Sequence, residues 1–325
     1  MVGMSEPAEK TAAASRALRL RKRLYKRNRI GRNWDLYLIV VVPLAYIVIF
    51  HYIPMYGAQI AFRNFRAIQG IMGSEWVGLK HIIRFVKSFK FWTIFGNTLT
   101  LSFYHLIAGF PMPIILALAL HYAGRPRFKK TVQMITYAPH FISTVVIVGM
   151  LMQVLALRGG IVNSILAIFG VERINFMGKL KLFQSIYVWS DVWQQAGWGS
   201  IIYLAALASI DPELHEAAIV DGAVRTQRIW HIDLPGILPT VTILLILRLG
   251  RIMQIGFEKV LLMQNPLNLT RSEIIQTYVY KIGLASAVPN YSYAAAIGLF
   301  AAVISFLLLI IVNRFAKTVG ETSLW

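Results

Sequence analysis

Six stretches of the sequence, at about 36–59, 93–122, 131–156, 182–208, 236–257 and 292–313, stay apolar for as long as a hydrocarbon slab is thick. Crossing that slab takes about 20 residues of helix, and backbone groups inside lipid must be satisfied within the segment itself. Composition agrees: 57% of the side chains are hydrophobic and only 14% charged, where a soluble domain carries about a quarter charged. The excess apolar surface has to face lipid. The expectation is an all-α integral membrane protein with six transmembrane helices. Phe110-Pro111-Met112-Pro113 predicts a kink or break in the second, since proline removes a helix hydrogen bond. Two shorter apolar segments, near 78–86 and 161–169, are too short to span and read as interfacial helices on the outer side.

No fixed-period repeat and no Gly/Ser linker divides the spans, so residues 35–325 read as one transmembrane domain behind a basic tail at 1–34. Ten Lys and Arg crowd that tail, which suits a cytoplasmic anchor at an anionic lipid surface. A cleaved signal is not expected, because no small-residue cleavage site follows the first apolar segment. The tail and the compact Arg125, Arg127, Lys129, Lys130 cluster place the N- and C-termini in the cytoplasm by the positive-inside rule. The segments then left outside are also basic and hold only Glu75, Glu172, Glu258 and Glu273 as acids. The net charge of +19 does not point to nucleic acid, because the basic residues sit between apolar spans instead of lining an aromatic-interleaved groove.

Several kinds of chemistry are missing. Cysteine is absent, which removes disulfides, thiolate metal sites and thiol nucleophiles. The chain has no G-x-x-x-x-G-K-[ST] phosphate loop, no H-E-x-x-H and no G-x-S-x-G. The histidines are scattered, and His51, His105, His121, His140 and His231 read as helix-end or interfacial residues with no pair at metal spacing near a carboxylate. Asn268-Leu269-Thr270 fits a glycosylation sequon, read as coincidence. Movement of anything against a gradient must therefore draw its energy from a partner or an ion.

One long polar interval in the C-terminal half, Asp211–Pro239, has a helical grammar of its own. Asp211 is a good N-cap and Pro212 suits the first helical position. Glu213 and Glu216 favour the positive end of the helix dipole. Gly222 offers a break, and a second piece with Arg225 and Arg228 runs until Leu234-Pro235 stops it. Periodicity alone fits an ordinary inter-span loop with two amphipathic helices.

Ionisable groups inside spans are costly and usually face a cavity. Arg248, Arg251 and Gln254 recur every three residues along the fifth apolar segment and are expected on one helical face. They read either as snorkelling or pairing with Asp191, or as a cationic stripe lining a path. The fourth segment offers Asp191, Gln194, Gln195 and Trp198 at helical spacing, a polar and aromatic face of the kind that binds sugars. Trp193 and Tyr203 fall elsewhere on that helix and read as packing or interfacial-belt residues. Arginines beside a path and a basic outer surface favour an anionic solute; the same charges also suit an acidic surface on a soluble binding protein.

Glu216-Ala217-Ala218, Asp221-Gly222-Ala223 and Ile232-x-Leu234-Pro235 resemble the EAA signature of permease subunits in bacterial ATP-binding-cassette importers. The stretches YLIVVVPLAYIVIFHYIPMYGAQIAFRNF, FWTIFGNTLTLSFYHLIAGFPMPIILALAL, RFKKTVQMITYAPHFIS and GWGSIIYLAALASIDPELHEAA, with the final SLW, are similar to the polysaccharide (LplB-like) branch of carbohydrate permeases. The resemblance implies a type I importer permease in the bacterial inner membrane, working by alternating access with a second homologous permease. Two separate ATPase subunits would hold ATP and Mg, with no cofactor on this chain. A periplasmic or lipid-anchored solute-binding protein would deliver an oligosaccharide, acidic (such as alginate) by the arginine argument. Carried over, Glu216, Ala217, Ala218, Asp221 and Gly222 form the cytoplasmic coupling helix and its turn, with Pro235 closing the motif. Ile229 departs from the pattern, where an aromatic is common; Trp230 stands beside it. A membrane-embedded enzyme acting on lipid-linked glycans would need converging carboxylates, and Asp191 stands nearly alone. An ion-coupled secondary carrier would show inverted repeats and more buried carboxylates. Neither alternative requires the Asp211–Pro239 elbow.

Overall fold

The computed structural model describes residues 34–319; the basic tail and the terminal Ser323-Leu324-Trp325 lie outside the described residues. The chain divides into two compact units, Met1–Gln59 and Ile60–Trp325. The described part of the first contains α1 (Trp34–Ile47), followed by a wide π turn over Val48–Tyr52.

The second unit opens with a two-stranded antiparallel hairpin, β1 (Arg63–Arg66) and β2 (Ser74–Trp76), which pairs Arg63 with Trp76 and Asn64 with Glu75. It is an exception to the all-α expectation. The rest is helical: α2 (Lys80–Val86), α3 (Phe91–Gly109), α4 (Pro111–His121), α5 (Pro126–Tyr137), α6 (Thr144–Val154), α7 (Ile161–Ile168) and α8 (Leu180–Ala208). They are followed by α9 (Pro212–Val220), α10 (Leu234–Gly250), α11 (Phe257–Met263), α12 (Ile275–Gly283) and α13 (Tyr291–Val319).

Four helices among the described residues are long and apolar enough to cross a membrane: Trp34–Phe62, Phe91–His121, Arg225–Gly250 and Tyr291–Thr318. A fifth is counted if α5 and α6 form one span, but they bend by 101° across Ile142-Ser143. The third apolar stretch, 131–156, is thus not one straight rod. Pro139 ends regular bonding there, and the Ser143 hydroxyl caps α6 by accepting from the Val146 N–H. The second stretch bends its ladder less than its prolines suggest. Phe110 still donates to the Leu106 carbonyl at 3.0 Å, and Pro111 starts α4 where its missing N–H costs little.

α8 has the length of a span but is too polar to count with the four. The physical reason is its position. It packs against α3, α4, α5 and α10, so its polar groups meet protein instead of lipid. Helices in lipid associate through close packing and internal hydrogen bonds, with small residues at the crossings. A Cβ on Gly197 would overlap the Thr136 carbonyl, so only glycine lets α8 meet the end of α5 this closely. Two apolar clusters flank α3: one joins Leu101 to Phe183, Tyr187, Val188 and Val192 of α8, the other joins Phe91 and Ile94 to Phe85, Ile275 and Ile297. Asn268 is fully buried, and its amide donates to the Met177 and Met263 carbonyls while its oxygen accepts from Ser272. The sequon at 268–270 therefore has a structural asparagine, inaccessible to glycosylation.

Candidate coupling elbow and translocation cavity

The elbow folds on local rules. The Asp211 carboxylate accepts from the Glu213 N–H at 3.0 Å, and Pro212 occupies the first helical position of α9. The helix closes on a Schellman pair: Gly222 N–H to the Ile219 carbonyl at 3.0 Å and Ala223 N–H to the Ala218 carbonyl at 2.8 Å. That closure needs a left-handed residue, and Gly222 supplies φ +77°. Glu216, Ala217 and Asp221 are exposed and Ala218 is half-buried. With Gln227, Arg228 and His231, the residues Ala218, Asp221 and Gly222 border an open hollow of about 400 Å³.

Leu234-Pro235 does not stop the second piece. One turn over Arg225–Arg228 passes into a π turn at Ile229–Asp233 and then directly into α10. The Leu234 N–H reaches back five residues to the Ile229 carbonyl. The widened turn takes up the bond Pro235 cannot donate, so the helix continues to Gly250. Trp230 is exposed on this turn.

A cavity of about 530 Å³ lies among α3, α4, α8 and α10, within the range of small-molecule sites. Its walls bring together Asp191, Arg248, Arg251 and Gln254 with His105, Tyr187 and Tyr203. The three residues expected on one helical face reach this wall differently. α10 ends at Gly250, and Arg251 and Gln254 lie in the turn that follows, with Gln254 N–H bonded to the Arg251 carbonyl at 2.8 Å. Gly250 ends the helix within the apolar stretch, so the predicted stripe is half helix and half turn.

Asp191 does not pair with either arginine. Its carboxylate bonds His105 Nε2 at 2.7 Å and the Lys259 ammonium at 3.3 Å. Lys259 is only 4% exposed, and its ammonium lies 5.3 Å from the Tyr187 ring centroid. Arg248 and Arg251 have no ion pair among the described residues; the Arg248 guanidinium stands over the Phe110 ring, with a buried Nη1 that has no hydrogen-bond partner. The cavity's one carboxylate is thus neutralised from behind, and its front remains cationic.

Gln194, Gln195 and Trp198 do not line this cavity. Gln194 is buried and donates to the Ile142 carbonyl at 3.1 Å, and Gln195 bonds His140 at 2.9 Å. Trp198 stacks on the His140 ring with centroids 4.5 Å apart. All three therefore hold the bend between α5 and α6 against α8. Lys259, His105 and His140 escaped the sequence reading, which put the histidines at helix ends and Lys259 in an outer segment. Their partners are 55 to 86 residues away along the chain, and no periodicity reports such pairs.

Residues 109–321 match the family described as the binding-protein-dependent transport system inner membrane component. The chain belongs to that family and is a multi-pass membrane subunit of an importer. Among particular relatives, it is 42% identical to the polygalacturonan/rhamnogalacturonan transport system permease YteP of Bacillus subtilis, over 89% of this chain and 90% of that one. It is 39% identical to LplB of the same organism, over 91% and 92%. It is also similar to a chain in the crystal structure of a bacterial ABC transporter that imports the acidic polysaccharide alginate, with TM-score 0.83 and 39% identity over 92% and 99%.

Proposed function

We propose that this chain is a permease subunit of an ATP-binding-cassette importer for acidic oligosaccharides. It crosses the membrane six times, through α1, α3–α4, α5–α6, α8, α10 with its preceding turn, and α13, behind a cytoplasmic tail and with both termini inside; α2 and α7 lie at the outer face. A second permease completes the path, a solute-binding protein delivers the sugar, and two ATPase subunits hold ATP and Mg²⁺. This chain needs no cofactor of its own for transport. The exposed α9 and its Gly222 turn dock on the ATPase through Glu216, Ala217, Ala218 and Asp221, with Pro235 at the base. Movement there passes through the unbroken Arg225–Gly250 helix to the cavity.

The observation that carries the substrate class is the wall formed by Arg248, Arg251 and Gln254, whose arginines have no ion-pair partner among the described residues while Asp191 is occupied by Lys259 and His105. Such a field concentrates carboxylate-bearing sugars. Uronates are the common chemistry of polygalacturonan and alginate, named for two relatives. The test is ATP hydrolysis by the reconstituted importer, stimulated by binding protein loaded with an acidic or a neutral oligosaccharide. Arg248→Ala and Arg251→Ala should each cut acid-stimulated turnover about tenfold, the loss of one charged contact, with assembly intact. Equal stimulation by a neutral sugar would overturn the acidic substrate class.

A further inference from the structure

Three groups from separate elements meet at the base of the elbow: His121, the last residue of α4; His215, in the second turn of α9; and Asp233, which closes the π turn before α10. One ligand atom from each lies within 4.8 Å of the others. His215 Nε2 is 3.3 Å from Asp233 Oδ1, and the two imidazole centroids are 6.1 Å apart. Asp233 is fully buried, and the Tyr122 hydroxyl donates to its Oδ2 at 2.7 Å. The Tyr122 hydroxyl serves only that one carboxylate oxygen. The other oxygen, Oδ1, and the facing His215 Nε2 are both buried without a hydrogen bond among the described residues.

A buried carboxylate oxygen and a buried imidazole nitrogen that face one gap without a hydrogen bond are costly unless something sits between them or a proton joins them. Two ligands on a tetrahedral zinc, each at about 2.0–2.1 Å, stand about 3.3–3.4 Å apart. His215 Nε2 and Asp233 Oδ1 already have that spacing, and the His121 ligand atom lies within 4.8 Å of both. Two imidazoles and a carboxylate suit zinc, copper, nickel or iron and leave a fourth position for water. Tyr122 supplies the outer hydrogen bond that orients a ligating carboxylate. Arg225 and Arg228 over the Tyr122 ring, and Lys129 near His121, oppose the added charge and weaken binding. An exchangeable site fits this balance better than a permanent one.

We propose that His121, His215 and Asp233 form a divalent transition-metal site that clamps the coupling helix α9 to the ends of α4 and α10. The clamp's consequence rests on the transport reading above: metal binding ties the elbow to two spans and lowers stimulated hydrolysis. Binding itself does not depend on that reading.

The test uses the assembled importer, stripped with chelator and titrated with zinc against an indicator dye. One zinc per copy of this chain is expected, with affinity lowered at least about tenfold in His121→Gln and His215→Gln, by analogy with losses at coordination shells. Cobalt gives a check on the wild type alone, independent of variant folding: d–d bands of tetrahedral intensity are expected. No cobalt bands, or equal zinc binding in wild type and variants, overturns the site and leaves His215 and Asp233 as an ion pair. Zinc bound at full occupancy with hydrolysis unchanged overturns the clamp. Failure of the elbow reading is separable, because it shows in metal-free importer.

Discussion

The elbow and the cavity are built on opposite principles. The cap and backbone bonds that shape the elbow's helix ends close within five residues: Asp211 to Glu213, Ala223 to Ala218, Leu234 to Ile229. The cavity instead depends on His105–Asp191 and Lys259–Asp191, pairs 86 and 68 residues apart. The elbow's surface is exposed, and the cavity's support is buried. An exposed helical elbow tolerates a local scaffold. The buried support of a charged hollow does not, because the Asp191 carboxylate finds its counter-charge only across the bundle.

The largest effect is expected behind the cavity. Lys259→Met leaves the part-buried Asp191 with His105 as its remaining partner, and removing one side of such a pair costs at most about 3–5 kcal/mol. Thermal unfolding of the purified importer should show it, and adding Asp191→Asn should restore most of the loss. A single variant as stable as wild type would mean the pair is solvated, and the contrast between the regions would break.

At the elbow, damage should fall on coupling and spare assembly. Gly222→Val forces a β-branched residue to φ +77°, a strain of about 1–2 kcal/mol that opens the Schellman turn. Stimulated hydrolysis and uptake should drop together, whereas Gly222→Asn, which tolerates the left-handed region, should retain most activity. Equal loss in both would shift the cause from backbone to the space beside Gly222. The smallest effect belongs to Asp211→Ala, which removes one cap worth about 1 kcal/mol; hydrogen exchange should quicken in the first turn of α9 and nowhere in α8.

This contrast also explains what the sequence disclosed. The cap, the proline at the first position and the glycine turn were legible because their partners are neighbours. Pro235 misled, since a stop and a π turn share the same residue and differ only in whether the chain behind it widens. The apolar stretch 131–156 hid a 101° bend, because hydropathy sums over Pro139 and Ser143 without registering them. Arg248, Arg251, Gln254 and Asp191 stood out as polar residues in apolar surroundings. Gln194, Gln195 and Trp198 stood out equally, and only the position of His140 and Ile142 separates them from the cavity.

In the proposed importer the elbow is the surface by which this chain meets the ATPase. A photoreactive benzoyl-phenylalanine in place of Glu216 tests it directly in the assembled importer, with Ile161 on α7 as the control position. An adduct between this chain and the ATPase subunit is expected from position 216 and none from 161. An ATPase adduct from 161 with none from 216 would contradict it.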